Sequence, residues 1–239
     1  MKTKIEWCDY TINPVKGLCP MACPYCYARR MYKRFKWNPE IRYTDPGFTI
    51  AELLAVKKPS KIFWGSTMEL FWGWPEIWMR DTFTIIKQFP QHTHIFLTKR
   101  PENLPIEFPE NCWVGVSATD YPSFSEACNQ LYPVEARVKF ISFEPLLDLN
   151  GWGVSNIYEW FHRVRIDWVI IGQQTPVKQA TMPKIEWVAA IVEAASKAGI
   201  PIFLKNNLES LIHHEWQDNV YAKLLRTRSG KLRQEFPDV

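Results

Sequence analysis

The chain has 239 residues, with 29 Lys and Arg against 25 Asp and Glu, a formal charge of +4 at pH 7, 46% hydrophobic residues and 23% charged. That balance excludes a disordered polyelectrolyte, permits one sizeable core, and allows a phosphate-bearing partner without demanding one. The start, Met1-Lys2-Thr3-Lys4-Ile5-Glu6, lacks the apolar core of a signal peptide, and no apolar run nears the roughly 18 residues of a membrane span, so a cytoplasmic protein without a membrane partner is expected.

The first strand is expected near Thr11 to Val15. Directly after it comes the run Cys19-Pro20-Met21-Ala22-Cys23-Pro24-Tyr25-Cys26, three of the six cysteines within eight residues. In a reducing compartment such a cluster points to metal or catalysis rather than to a disulfide framework. The segment Arg29-Arg30-Met31-Tyr32-Lys33-Arg34-Phe35-Lys36-Trp37 follows, alternating cations with aromatics as nucleic-acid surfaces do, although a solvated amphipathic helix end has the same look.

Thr49-x-x-Glu52 reads as a capping box opening a helix. From Lys61 onward, short β-branched and aromatic runs alternate with helical stretches. The candidate strands are Lys61 to Gly65, His94 to Thr98, Cys112 to Val116, Lys139 to Phe143, Trp168 to Gly172 and Ile200 to Leu204. Their near-continuous hydrophobicity indicates strands buried on both faces, hence a parallel sheet.

Between them, Trp78, Thr82, Ile85, Ile86 and Phe89 share one helix face, and Ile185, Val188, Ala189, Val192 and Ala195 another, with Gly199 as its C-cap. Ser123-x-x-Glu126 reads as a second capping box, Asp148 to Ile166 as an insertion over one rim, and Ser229-Gly230 as the turn of a hairpin in the tail. About seven βα-type units result. The expected fold is α/β, a complete or partial (β/α) barrel of six to seven parallel strands over residues 1–207, with 208–239 as a C-terminal extension; an open doubly wound sheet is the alternative.

In a parallel barrel the loops after the strands converge on one face, so the residues after each strand sample one site. They are the cysteine loop; Gly65, Ser66, Thr67 and Glu69; Thr98, Lys99 and Arg100; Ser117, Thr119 and Asp120; Glu144; Gln173 and Gln174; and Lys205, Asn206 and Asn207. Lys99, Glu144 and Lys205 stand out as charges at such a mouth and as the catalytic candidates.

Two readings of the cysteine loop are open. Cys8, Cys19, Cys23 and Cys26 would close a four-thiolate zinc site that staples the N-terminus of a binding protein, with His213 and His214 as remoter ligands. Alternatively, three thiolates hold an iron–sulfur cluster whose fourth position is left to another ligand. Cys19-x3-Cys23-x2-Cys26, with Tyr25 before the last cysteine and a βα series behind it, is similar to the signature of radical S-adenosylmethionine (SAM) enzymes.

Ile5-Glu6-Trp7, Asn13-Pro14-Val15, Cys26-Tyr27-Ala28, Leu97-Thr98-Lys99-Arg100-Pro101, Gly115-Val116-Ser117 and Glu144-Pro145-Leu146-Leu147 further resemble a phage-associated three-cysteine-motif family. The cysteine loop is also similar to that of spore photoproduct lyase.

The resemblance implies a [4Fe-4S] cluster on Cys19, Cys23 and Cys26, with SAM on its fourth iron. It also implies SAM contacts by Gly65, Ser66 and Thr67 at the amino group, Lys99 at the carboxylate, Ser117 and Thr119 at the ribose and Tyr25 at the adenine. An external one-electron donor such as flavodoxin or ferredoxin is implied, and a nucleobase or nucleotide substrate in DNA modification or repair. The chain departs from the family at Cys8, where Thr is commoner, at Gly172-Gln173-Gln174, which stands in place of Gly-Gly-Glu, and at Asn206-Asn207.

Overall fold

A computed structural model describes residues 2–213 and 220–238. In chain order the elements are β1 (Tyr10–Ile12), β2 (Val15–Lys16), α1 (Tyr27–Phe35), β3 (Arg42–Tyr43), α2 (Pro46–Leu54), β4 (Lys61–Trp64), α3 (Glu76–Lys87), β5 (Thr93–Thr98) and β6 (Cys112–Ser117). There follow α4 (Tyr121–Leu131), β7 (Val138–Phe143), α5 (Val154–Val164), β8 (Trp168–Ile171), α6 (Ile185–Lys197), β9 (Ile202–Leu204), α7 (Glu209–His213) and α8 (Val220–Leu225).

The fold is α/β. Seven strands form one sheet in the order β1-β4-β5-β6-β7-β8-β9, and β2 pairs with β3 in a separate antiparallel ladder. Neighbours in the large sheet are also successive in the chain, so every crossover steps the same way. A doubly wound sheet requires a point where the order reverses, and this one has none. With β1 and β9 as its two ends, the order is that of the partial barrel.

The chain divides into two compact units. The first comprises Met1–Gly115 with Val134–Arg137, the second Val116–Pro133 with Val138–Val239.

In the first unit β1, β4 and β5 pair in parallel, Ile12 opposite Trp64 and Trp64 opposite Phe96. Ile62, Trp64, Ile85, Ile86, Phe96 and Leu53 are fully or almost fully buried around this sheet. Each large apolar side chain so removed from water contributes about 1.5–3 kcal/mol. α3 contributes Thr82, Ile85 and Ile86 to it, the face its periodicity marks out. The N-terminal end of β1 is clamped to β4 by Asp9, whose amide donates to the Lys61 carbonyl and whose carboxylate accepts from the Lys61 amide, each at 2.8 Å.

In the second unit β7, β8 and β9 are parallel, and the same clamp recurs with Asp167 and Lys139. α4, α5 and α6 bury one face each: Phe124, Ala127, Cys128 and Leu131; Ile157, Phe161 and Val164; and a stripe running from Ile185 to Ala195. Gly199, at φ +69, ends α6 in the left-handed conformation expected of a glycine there. The hairpin expected at Ser229-Gly230 is present, with Thr227 accepting from Gly230 and donating to Lys231. Beyond it the tail pairs antiparallel with β9 through the Leu204–Arg233 and Glu235–Ile202 hydrogen bonds, covering an edge that would otherwise be open.

Two helix starts and one loop assignment are corrected. Neither serine/threonine box opens its helix. α2 starts at Pro46 behind Asp45, whose side chain accepts from Gly47, leaving Thr49 buried one turn inside; α4 starts at Tyr121 behind Asp120, with Ser123 completing that box. In both, an Asp N-cap followed by Pro at the first or second helical position outweighs the later box. Asp148 to Ile166 is no rim insertion, because it contains α5, the crossover helix between β7 and β8. His214, one of the two remoter zinc ligands considered, lies outside the described residues.

Candidate functional site

In the first unit the site grows from the residues after β1, β4 and β5. Gly65 ends β4 at φ +77, and a Cβ there would stand 2.5 Å from Leu70 Cγ and 2.8 Å from the Met68 carbonyl, so only glycine fits the turn. Asn13, just beyond β1, fixes the two residues after that glycine. Its Oδ1 accepts from the Thr67 amide (3.0 Å), the Thr67 hydroxyl (3.1 Å) and Ser66 Oγ (3.3 Å). The Thr67 hydroxyl directs its proton at Asn13, while Ser66 Oγ also accepts from Asn13 Nδ2 at 3.2 Å, so each oxygen keeps a lone pair to accept from a ligand.

Glu69 is the second organiser. Its buried carboxylate accepts from the Phe71 amide (3.0 Å), Thr98 Oγ1 (2.7 Å) and the Lys99 amide (2.9 Å), tying the β4 loop to the end of β5. Burial pushes its pKa up, and the three donors act against that rise. The Glu69 amide points at Cys19 Sγ, 3.4 Å away.

The cysteine loop leans on this frame. Cys19 Sγ also accepts from the Met21 amide; burial nevertheless raises its pKa, the two amides lower it, and Glu69 and Cys26 nearby raise it further. Ala22 takes the loop through φ +51, the Cys26 amide closes a turn on the Cys23 carbonyl at 3.0 Å, and Cys26 then serves as N-cap of α1. From α1, Arg29 donates back to the Cys19 carbonyl at 2.6 Å, Tyr32 accepts from the Gly17 amide at 2.9 Å, and Tyr27 donates to the Ser66 carbonyl. Lys99 places its ammonium 5.5 Å from the centroid of the Tyr25 ring.

The six cysteines fall into two groups. Cys19, Cys23 and Cys26 are partly exposed, whereas Cys8, Cys112 and Cys128 are buried, and burial pushes the last two thiols far up. Among the described residues, no three His, Cys, Asp or Glu side chains converge as a ready-made metal site. Cys8 precedes β1, at the end clamped by Asp9, while Cys19 meets Glu69 beyond the opposite ends of β1 and β4. At roughly 3.3 Å per residue, the strand holds these two thiols on the order of 10 Å apart along its axis.

The second unit gathers Glu144, Gly172 and Lys205 after β7, β8 and β9. Lys205 pairs with Glu144, with about a fifth of each side chain exposed. A Cβ on Gly172 would lie 2.9 Å from Lys205 Cδ and 3.4 Å from Glu144 Cγ, so the glycine gives the pair its room. Gln173 is buried and donates to the Asn207 carbonyl and to Ser210 Oγ (2.9 Å), while Asn207 donates to the Gln173 carbonyl (2.7 Å). Ser117 is nearly buried at the end of β6, and Thr119 accepts from the Leu147 and Asp148 amides beside the N-cap of α4.

Thus Cys19, Gly65, Ser66, Thr67 and Lys99 share one hydrogen-bonded frame, with the Tyr25 ring beside the Lys99 ammonium, and Glu144 joins Lys205 in another. Asn13 and Glu69 are the organisers, and neither stands among the catalytic or cofactor-binding candidates expected from the sequence. The Asn13-Pro14-Val15 motif and the position of Glu69 after a strand were their only signals.

Fold and site together define an α/β protein whose cysteine-bearing loop, between β2 and α1, is locked to the turns after β4 and β5. The chain belongs to the family described as "Protein of unknown function (DUF5131)", whose model matches residues 2–237. No curated protein and no solved structure matches it. Among the described residues no helix is long and apolar enough to cross a membrane.

Proposed function

We propose that the chain is a radical SAM enzyme that binds a [4Fe-4S] cluster through Cys19, Cys23 and Cys26, with SAM as its co-substrate and a nucleobase or nucleotide as its substrate class. The observation that carries this reading is the Cys19 thiol, which takes two backbone N–H groups while its loop is held against the Gly65–Thr67 turn. Amide hydrogen bonds to sulfur favour the thiolate and are a standard means of setting a cluster's potential. The donors are of the kind such a cluster takes: three thiols of one short loop are accessible, and the other three are buried.

When bound, the cluster and SAM supply a 5′-deoxyadenosyl radical by one-electron cleavage of a carbon–sulfur bond. The chain's own contribution is position and charge. Ser66 and Thr67, oriented by Asn13, would accept from the SAM amino group. Lys99 would face its carboxylate, and Tyr25 would stack on the adenine. The four-cysteine zinc reading gains no support from Cys8, which is buried beyond the far end of β1.

Anaerobic reconstitution with iron and sulfide tests the proposal. A brown protein absorbing near about 400 nm, which releases 5′-deoxyadenosine from SAM under reduction, is expected. Colourless protein holding one zinc, and losing it on Cys8→Ser, refutes the proposal.

A further inference from the structure

We propose that the outer face of α1, together with the β2–β3 ladder, is a binding platform for single-stranded nucleic acid. The proposal deepens the substrate class given above and rests on a different set of residues.

Four observations carry it. First, Phe35 and Trp37 are 52% and 42% exposed, yet ordered against one another, stacked at 5.5 Å between centroids and 23° between planes. Tyr32 meets Trp37 edge-on at 5.2 Å, and the Arg34 guanidinium lies 5.3 Å from the Phe35 centroid. Large aromatic rings kept exposed and fixed in orientation offer faces on which a flat base can stack.

Second, Lys36 adopts the left-handed conformation at φ +51, where glycine is the usual choice. The consequence is local: the Trp37 amide returns to the Tyr32 carbonyl at 3.2 Å, which sets Trp37 beside the helix end.

Third, Lys16 and Arg42 face each other as cross-strand partners of β2 and β3, and both are exposed. Like charges in that register repel, and a bound anion relieves the repulsion. Lys33, Arg34 and Lys36 are exposed cations on the neighbouring helix end, and among the described residues none of the three joins an ion pair of the kind Arg100 makes with Glu102. The only acid in the 27–43 segment is Glu40.

Fourth, the apolar side of α1 is already used. Ala28 is buried, Arg29 holds the Cys19 carbonyl and Tyr32 holds Gly17. A helix that lies in a membrane surface needs a free apolar face, and α1 has spent its own on the protein. Cations beside half-exposed aromatic rings favour a phosphate backbone with unpaired bases. The nine residues of α1 span about 14 Å, so a strand lying on this face runs towards the cysteine loop at Cys26.

The test is fluorescence anisotropy of a labelled oligothymidylate with the full-length protein as purified, without reconstitution or SAM, over a range of salt. Binding is expected at low salt and is expected to weaken as salt rises. Phe35→Ala with Trp37→Ala should weaken it by roughly tenfold or more at unchanged salt dependence, as loss of base stacking does. Lys33→Glu with Arg34→Glu should weaken it and flatten the slope of log affinity against log salt by about 1.4, two phosphate contacts at about 0.7 each. Circular dichroism checks that both variants fold.

No binding at low salt, equal binding by all three proteins, or preference for a duplex or for anionic vesicles over the single strand would each overturn the proposal. Because neither cluster nor SAM is present, such an outcome leaves the radical SAM reading standing, and loss of SAM cleavage leaves this one standing.

Discussion

Acid should weaken this protein through one buried histidine. His94 is inaccessible within β5, where Nδ1 accepts from Trp64 Nε1 at 2.9 Å and Nε2 lies 3.2 Å from the Phe89 carbonyl. A neutral ring with its proton on Nε2 satisfies both contacts; a second proton would break the first. Burial pulls its pKa down from 6.5 to about 4, the Phe89 carbonyl opposes that fall, and His92 adds to it.

The unfolded chain therefore takes up the proton first, and stability present above about pH 6.5 is lost as pH falls towards about 4. A gap of about 2.5 units at about 1.36 kcal/mol each amounts to about 3 kcal/mol, of which about 2.5 kcal/mol is gone at about pH 4.5. Urea unfolding of wild type and His94→Phe at about pH 7 and about pH 4.5 measures it. The variant should be weaker at neutral pH by about 1–3 kcal/mol, because the Trp64 N–H loses its acceptor. Its further loss on acidification should be smaller than that of wild type by about 2.5 kcal/mol, roughly 1 M in urea midpoint. Equal acid sensitivity of the two proteins would refute the reasoning.

Other outcomes rest on the same geometry. Gly65→Ala combines a left-handed backbone with a 2.5 Å approach to Leu70, so a loss of about 2–4 kcal/mol is expected in urea unfolding. Iodoacetamide on the native apo-protein, read by peptide mass spectrometry, should label Cys23 and Cys26 readily, Cys19 more slowly, and Cys112 and Cys128 only after unfolding. Glu69→Gln turns an acceptor of the Phe71, Thr98 and Lys99 donors into a partial donor; it should cost about 1–3 kcal/mol and speed Cys19 labelling relative to Cys23. Gly172→Ala should displace Lys205 from Glu144, lowering the urea midpoint while the far-ultraviolet circular dichroism stays that of wild type.

The strands were legible because each is short, apolar and β-branched. Lys61–Trp64, Val138–Phe143 and Trp168–Ile171 lie within a residue of where their hydrophobicity marks them. The boxes at Thr49 and Ser123 mark helix starts one turn late, because two capping signals compete and the earlier Asp-Pro pairing wins. The cysteine loop and the polar strand ends are local in sequence, so they too could be read. What could not be read is relational. Asn13 and Glu69 act across 54 and 30 residues, and nothing near either one announces its partner. The Lys16–Arg42 register was equally hidden, because β2 and β3 are two residues each and carry no periodicity.

SAM cleavage by the reconstituted protein is the most direct measurement of the proposed activity. Wild type with dithionite and SAM should form 5′-deoxyadenosine in step with about four irons per chain, and Cys23→Ala should abolish both. Cys8→Ser should keep both, because Cys8 is buried at the other end of β1. A chain that binds iron with all three loop cysteines intact and yields no 5′-deoxyadenosine, or one whose metal leaves with Cys8, would contradict it.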